Sequence, residues 1–87
     1  MSLEINALFD EIWNELDRAE EKWPDFPSND VVHAISILSE ESGECVREAN
    51  RLKLGNVNYG RLRSELIQTG AMVLRCLKNL DKEFIDG

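Results

Sequence analysis

Apolar residues recur with a helical period along most of the chain, and no segment alternates apolar and polar residues as a strand would. In the first segment, from about Leu3 to Lys22, they recur at i, i+3 and i+4 spacing. They are Ile5, Leu8, Phe9, Ile12, Trp13, Leu16 and Ala19. Acidic residues and Arg18 occupy the other side, so we predict an amphipathic helix here.

Two prolines follow this helix. Pro24 and Pro27 disfavour helical geometry at the residue before each of them, Trp23 and Phe26. We therefore expect a short ordered loop that is pinned by these two aromatic side chains.

A second helix of about 25 residues is predicted after this loop. Ser28, Asn29 and Asp30 offer side chains for its N-cap, and Gly55 and Asn56 supply a C-terminal stop. A third helix is predicted from about Asn58 to Leu80.

Both later helices carry a nearly heptad stripe, which is typical of helices packed lengthwise in a bundle. The second helix contributes Val31, Ile35, Leu38, Ser42, Cys45, Ala49 and Leu52; the third contributes Leu62, Leu66, Thr69, Val73, Leu77 and Leu80. We expect both stripes to be core. Because a glycine inside a helix costs about 1 kcal/mol relative to alanine, Gly70 indicates a place where another helix approaches closely.

Chain length and charge narrow the class of protein. A chain of 87 residues forms one domain, residues 1–87, and buries only about 60% of its unfolded surface, so we expect self-association as a dimer or tetramer. The formal net charge of -7 argues against nucleic acid and membrane partners, since no basic patch is present. The N-terminus lacks a signal-like pattern, and Cys45 and Cys76 lie in apolar helical patterns without metal-ligand spacing, which favours a cytoplasmic protein. The expected fold is all-α, with three main helices that form a four-helix-type bundle through self-association.

Four oxygen donors on the two later helices form the most informative group. Glu41 and Glu44 are three residues apart on the second helix, as are Glu65 and Gln68 on the third, and both pairs border the apolar stripe. Close carboxylates repel one another unless a cation compensates. Oxygen donors suit Mg²⁺, with Mn²⁺ as an alternative, whereas a chain with one histidine disfavours zinc and Glu-x-x-His di-iron sites.

These residues resemble the signature of the MazG-like, all-α nucleoside triphosphate pyrophosphohydrolase superfamily, over about residues 30 to 80. The signature is Glu-Glu-x-x-Glu on one helix and Glu-x-x-Asp on the next. Here the first half reads Glu-Glu-Ser-Gly-Glu from Glu40 to Glu44, and the second reads Glu-Leu-Ile-Gln from Glu65 to Gln68. Gln68 departs from the signature, because it keeps a carbonyl oxygen but lacks the negative charge of aspartate.

The resemblance implies Mg²⁺-dependent hydrolysis of a nucleoside triphosphate to a monophosphate and pyrophosphate. It implies Glu41, Glu44 and Glu65 as metal ligands, Gln68 as a ligand or a holder of a bound water, and Glu40 or Glu48 as an orienter of the attacking water or as its base. Basic residues near the ends of the two helices are candidates for phosphate contacts. They are Arg47, Arg51, Lys53 and Arg61.

The same residues also fit other interpretations. The four donors could belong to two solvated helix faces, and Glu48 could form a surface ion pair with Arg51 or Lys53. A non-catalytic helical oligomer, or a regulator that binds nucleotide with a weakened metal site, is the alternative function. His33 is expected to have a structural or surface role.

Overall fold

The computed structural model describes residues 3–26 and 30–85, with side chains over 4–26 and 30–79, and contains three helices in this part of the chain. They are α1 (Leu3–Lys22), α2 (Val31–Lys53) and α3 (Tyr59–Ile85). The all-α fold is confirmed, and α1 has the predicted bounds. The third helix runs five residues beyond its predicted end at Leu80, because no glycine or proline occurs before Gly87.

The two ends of α2 follow the predicted capping chemistry. Asp30 is the N-cap, and its Oδ1 accepts a hydrogen bond of 2.9 Å from the backbone N–H of His33. Gly55 takes φ +102°, and the N–H groups of Gly55 and Asn56 donate to the carbonyls of Leu52 and Arg51. This pair of bonds is a Schellman motif, which requires the left-handed conformation that glycine adopts without strain. Pro27 and the other two capping candidates, Ser28 and Asn29, lie outside the described residues.

The third helix is the centre of the molecule. Both α1 and α2 pack against α3, whereas α1 and α2 do not pack on each other in the described ranges. Contacts pair Glu11 with Arg63 and Glu20 with Lys78, so α1 runs parallel to α3. The helices are therefore ordered α1, α3, α2, and the Cα extents are 48 × 31 × 22 Å.

Small residues set the distances between helices. Ala34 of α2 is fully buried against Met72 and Cys76 of α3, and the Cys76 thiol lies 4.0 Å from the Ala34 carbonyl oxygen. At Gly70, a Cβ atom would lie 3.3 Å from Cδ1 of Ile12. The close approach predicted at Gly70 is therefore confirmed, and the approaching helix is α1.

The prediction that both heptad stripes are core is wrong for seven of the twelve members whose side chains are described, and the side chain of Leu80, the thirteenth, lies outside them. Leu38, Cys45 and Leu52 are partly buried, as are Leu62 and Thr69 of α3. Exposed members are Val31, Ile35, Ser42 and Ala49 of α2, and Leu66, Val73 and Leu77 of α3. The buried face of α2 is shifted around the helix toward Ala34 and Glu48, because α2 packs on only one other helix, α3, in the described part of the chain.

Two glycine substitutions test the close approach of α1. A Cβ atom added at Gly43 would have no neighbouring atom within 4 Å. Gly43→Ala should therefore stabilise the fold by about 0.5–1 kcal/mol through helix propensity alone. Gly70→Ala gains the same propensity but pushes on Ile12, so its gain should be smaller or reversed. Urea unfolding of both variants measures the difference, and equal gains would contradict the contact.

Candidate functional site

The acidic strip of α2, formed by Glu41, Glu44 and Glu48, faces α3 and is not fully exposed to solvent. Glu48 is only 6% exposed, and Glu41 and Glu44 are half-buried. They continue the inward face that begins at Ala34 and Ile37, with the i, i+3, i+4 spacing of one side of a helix. The alternative of a solvated helix face therefore does not fit Glu41 and Glu44, and Glu48 beside them is buried.

The α3 donors lie at the same level of the helix pair. The Cys45 thiol and the Thr69 hydroxyl are 3.3 Å apart, so Glu44 and Gln68, which precede them, belong to the same cross-section of the bundle. The Thr69 hydroxyl also donates to the carbonyl oxygen of Glu65 at 2.7 Å. The structure thus brings the two predicted donor pairs onto one seam between α2 and α3.

Two carboxyl groups on this seam, those of Glu41 and Glu65, have raised pKa values. Burial raises the pKa of Glu41 above its ordinary value, and the neighbouring carboxylates of Glu65 and Glu44 raise it further. Burial likewise raises the pKa of Glu65, and Glu44 adds to the effect while Arg47 opposes it. Three carboxylates from two helices are therefore close enough to repel one another.

Two of the acids on the strip are held by arginines of their own helix. Glu44 pairs with Arg47, and Glu48 accepts a bond of 2.9 Å from Arg51. The side-chain amide of Gln68 donates to the Ser64 hydroxyl at 3.3 Å. The ion pair foreseen between Glu48 and Arg51 is thus confirmed.

The donor set suits a hard divalent cation in chemistry but is not gathered around one point. Within the described ranges, no group of three or more His, Cys, Asp or Glu side chains is close enough together to hold a metal ion. The donors are all oxygens and carry surplus negative charge, as Mg²⁺ requires. Binding would need side-chain rotations that release Glu44 from Arg47.

A cleft of about 470 Å³ opens beside this seam, between α1 and α2 and over α3. Glu41 and Gln68 line it at one end. The rest of its wall includes Trp23, Phe26, His33, Met72 and Arg75, together with Glu15 and Arg18 of α1. The cleft has the volume of a small-molecule site, and it joins an aromatic wall to the acidic seam.

Arg75 is the buried cation of this cleft. It is 7% exposed, donates a hydrogen bond to the carbonyl oxygen of Trp23, and lies over the Phe26 ring with 5.4 Å between the guanidinium carbon and the ring centroid. No carboxylate of the described residues pairs with it, and its Nε has no hydrogen-bond partner among them. The loop is thus held through Phe26 and the Trp23 carbonyl, whereas Trp23 as a whole is 52% exposed.

Other predicted site residues lie farther from the cleft. Glu40 is exposed, and Lys53 and Arg61 are exposed near the helix ends without lining the cleft. Sequence reasoning missed Glu15, Arg18 and Arg75 as lining residues. A signal for Arg75 existed, because Glu65, Gln68, Met72 and Arg75 continue one helical face at steps of three and four.

Comparison of the chain with protein-family models, with curated proteins and with solved structures found no match. Among the described residues, no helix has the length and apolarity to span a bilayer.

The strain of the acidic seam predicts a stabilising substitution. The folded-state pKa of Glu41 lies above its unfolded value, so ionised Glu41 destabilises the fold at neutral pH, and this effect disappears as the pH falls through that raised pKa. Glu41→Gln should therefore raise the midpoint of thermal unfolding at pH 7 without divalent cations. The gain should vanish below about pH 4, where the carboxyl group is protonated in both states.

Glu21→Gln is the matched control, since it removes the same charge from an exposed residue of α1 that is not among the carboxylates raising the pKa of Glu41. It should shift the midpoint by no more than an ordinary surface change, within about 0.5 kcal/mol. Equal midpoints for the two variants would show that Glu41 is not under strain.

Proposed function

We propose that this protein is an Mg²⁺-dependent nucleotide pyrophosphohydrolase that cleaves a nucleoside triphosphate to a monophosphate and pyrophosphate. The observation that carries the proposal is the meeting of Glu41, Glu44 and Glu65 on one partly buried seam, from which Glu41 also lines a cleft large enough for a small molecule. Acids in this position destabilise the fold unless a cation offsets their repulsion. The resemblance of the two motifs to the MazG-like signature supports the same activity.

The three glutamates would hold the ion in this proposal, with the carbonyl oxygen of Gln68 as a further donor or as a holder of bound water. Arg47 competes with the ion for Glu44, because the two side chains form an ion pair in its absence. Mg²⁺, or Mn²⁺ in its place, supplies neutralisation of phosphate charge when bound.

Either Glu48 or Glu40 would orient or deprotonate the attacking water. Glu48 is buried on the acidic strip but bonded to Arg51, so its use as a base requires release from that arginine. Glu40 is exposed and precedes the ligand candidate Glu41. The water attacks a phosphorus of the linkage between the α- and β-phosphates, and the bond from that phosphorus to the bridging oxygen breaks. The monophosphate and pyrophosphate separate, and the proton of the water passes to the base.

The nucleoside would occupy the rest of the cleft, against the wall of Trp23, Phe26 and Arg75. Arg75 has no carboxylate partner among the described residues. It is therefore available to donate a hydrogen bond to an acceptor on the substrate, or to balance a negative charge there. Arg51, Lys53 and Arg61 stay as candidates for the released pyrophosphate, since they lie toward the other end of the acidic strip. Self-association and a cytoplasmic location complete the proposal; Cys45 and Cys76 are free thiols, as a reducing compartment requires.

One alternative function has a specific observation in its favour. The acids are not gathered around one point, and Gln68 lacks the charge of the aspartate in the signature. A nucleotide-binding regulator, or a non-catalytic helical oligomer with a weakened metal site, would have this arrangement.

Charge removal at the seam tests the enzyme directly. Glu41→Gln and Glu44→Gln should each lower Mg²⁺-dependent release of pyrophosphate by more than about 100-fold, since each removes a ligand of the ion that neutralises the phosphates. A panel of nucleoside di- and triphosphates with Mg²⁺ or Mn²⁺ serves as substrate, and circular dichroism checks the helices.

Glu21→Gln, an exposed change on α1, controls for loss of one charge and should keep full activity. Undiminished turnover in either seam variant would remove that residue from the ligand set.

Gln68→Asp separates the enzyme from its alternative. If the natural chain is the enzyme, it releases pyrophosphate before any change, and the added carboxylate should tighten Mg²⁺ binding, measured by calorimetry. If activity occurs only in the Gln68→Asp variant, the natural chain is a binding protein and not a hydrolase.

A further inference from the structure

Arg75 is a buried cation without a counter-charge among the described residues. The five basic residues that form ion pairs there have side chains that are 44–62% exposed, whereas Arg75 as a whole is 7% exposed and pairs with no carboxylate. Asp25 lines the same cleft, yet it forms no ion pair with Arg75. A charge buried without a partner is costly, and an acceptor on a ligand in the cleft would offset that cost.

The nitrogen of Arg75 that is open to a ligand is Nη1. Nη2 donates to the carbonyl oxygen of Trp23, and the guanidinium group lies over the Phe26 ring. Nε is enclosed without a partner, and Nη1 makes no hydrogen bond within the described ranges. A guanidinium group donates hydrogen bonds and accepts none. Nη1 can therefore satisfy an acceptor atom of a ligand but not a donor.

The position of Arg75 along the cleft determines which part of a nucleotide it meets. Gln68 and Arg75 both line the cleft and are seven residues apart on α3, which separates them by about 10 Å. Trp23 and Phe26 line the Arg75 end, since both contact that side chain. A nucleotide held by its phosphates at the acidic seam would extend its base toward this aromatic end, where rings can stack on it. This step rests on the proposed function.

The bases fall into two classes by the group that lies farthest from the sugar. Guanine, hypoxanthine, uracil and thymine have a carbonyl oxygen there, which accepts a hydrogen bond, whereas adenine and cytosine have an amino group, which donates. An amino group placed against Nη1 would set donor against donor. We propose that Arg75 makes the cleft selective for nucleotides with such a keto base over those with an amino base. One open nitrogen reads one oxygen, so both purines and pyrimidines of the keto class are accepted.

The other polar groups at this part of the cleft do not favour the amino class. Both carboxylate oxygens of Glu15 accept hydrogen bonds from Arg18. Asp25 and His33 are exposed, so water competes for their hydrogen bonds, and an imidazole can present either a donor or an acceptor. The buried donor of Arg75 is therefore the group that discriminates, because a ligand that cannot pair with it leaves it unsatisfied.

Matched nucleosides that differ at this group and the adjacent ring nitrogen test the preference. Inosine and adenosine form one pair, and uridine and cytidine form the other. None carries a phosphate, so binding requires neither a metal ion nor hydrolysis. NMR titration of the full chain with about 0.1 to 10 mM nucleoside follows the Nε–H signal of Arg75 and the indole N–H signal of Trp23. Inosine and uridine should bind at least about 10-fold more tightly than adenosine and cytidine.

Two substitutions of Arg75 separate base selection from support of the loop. Arg75→Gln introduces an amide that both donates and accepts, so the preference within each pair should disappear. Arg75→Lys keeps a group that only donates, so the keto member should still bind more tightly. A purely structural Arg75 would weaken all four nucleosides alike and leave the ratios unchanged. Arg63→Gln is the matched control, because it removes an exposed arginine of α3 that does not line the cleft, and it should keep the natural ratios.

Equal affinities within each pair for the natural chain, or no binding of any nucleoside, would overturn the inference. Natural ratios in a folded Arg75→Gln variant would do the same, and the natural chain and Arg75→Lys still decide the matter should Arg75→Gln not fold. Pyrophosphate release by a chain that shows no base preference would leave the proposed function standing. A keto preference in a chain that releases no pyrophosphate would instead assign base selection to a binding protein.

Discussion

The contact between α2 and α3 is the interaction on which the rest of this structure depends. Ala34 is fully buried against Met72 and Cys76, and its single methyl group lets the two helices lie close together. The same inward face continues along α2 into Glu41, Glu44 and Glu48. Apolar packing at one end of the seam therefore holds acidic side chains against each other at the other end.

The stabilising apolar contacts thus lie at one end of the α2–α3 pair, and the acidic candidate site lies at the other. A seam of leucines in place of the acids would be more stable, because partial burial and mutual repulsion both disfavour ionised carboxylates. Sites that bind or react are commonly less stable than their surroundings, and such strain is a reason to look for function there. Arg47 and Arg51 relieve part of the strain without a ligand, through their pairs with Glu44 and Glu48.

Local features of this fold could be predicted from the sequence because their causes are local. The period of α1, the N-cap at Asp30 and the stop at Gly55 each depend on a few neighbouring residues. The packing partner of each stripe could not be predicted. A heptad pattern shows that Leu66 and Val73 pack lengthwise on something, but the same pattern results whether the partner belongs to the chain or to a second copy.

The candidate site was likewise predictable only in part. Two spaced pairs of donors on adjacent helices indicated that Glu41 and Glu65 would meet, and the raised pKa of Glu41, to which the carboxylate of Glu65 contributes, agrees with this. The cleft was not predictable, because Arg75 reaches the carbonyl oxygen of Trp23 across 52 positions of sequence. Residue spacing does not specify side-chain rotations. It therefore could not predict that Glu44 pairs with Arg47 instead of turning toward the other acids of the seam.

The separation of α1 from α2 has a consequence for ligand size. Since the two outer helices meet only through α3 in the described ranges, the gap between the aromatic wall and the acidic seam depends on how deeply each one sits on α3. Gly70 sets that depth for α1, through its contact with Ile12. A single methyl group there would move the α1 wall of the gap and leave the acids of α2 and α3 in place, so the width of the cleft can be retuned from a position outside its lining.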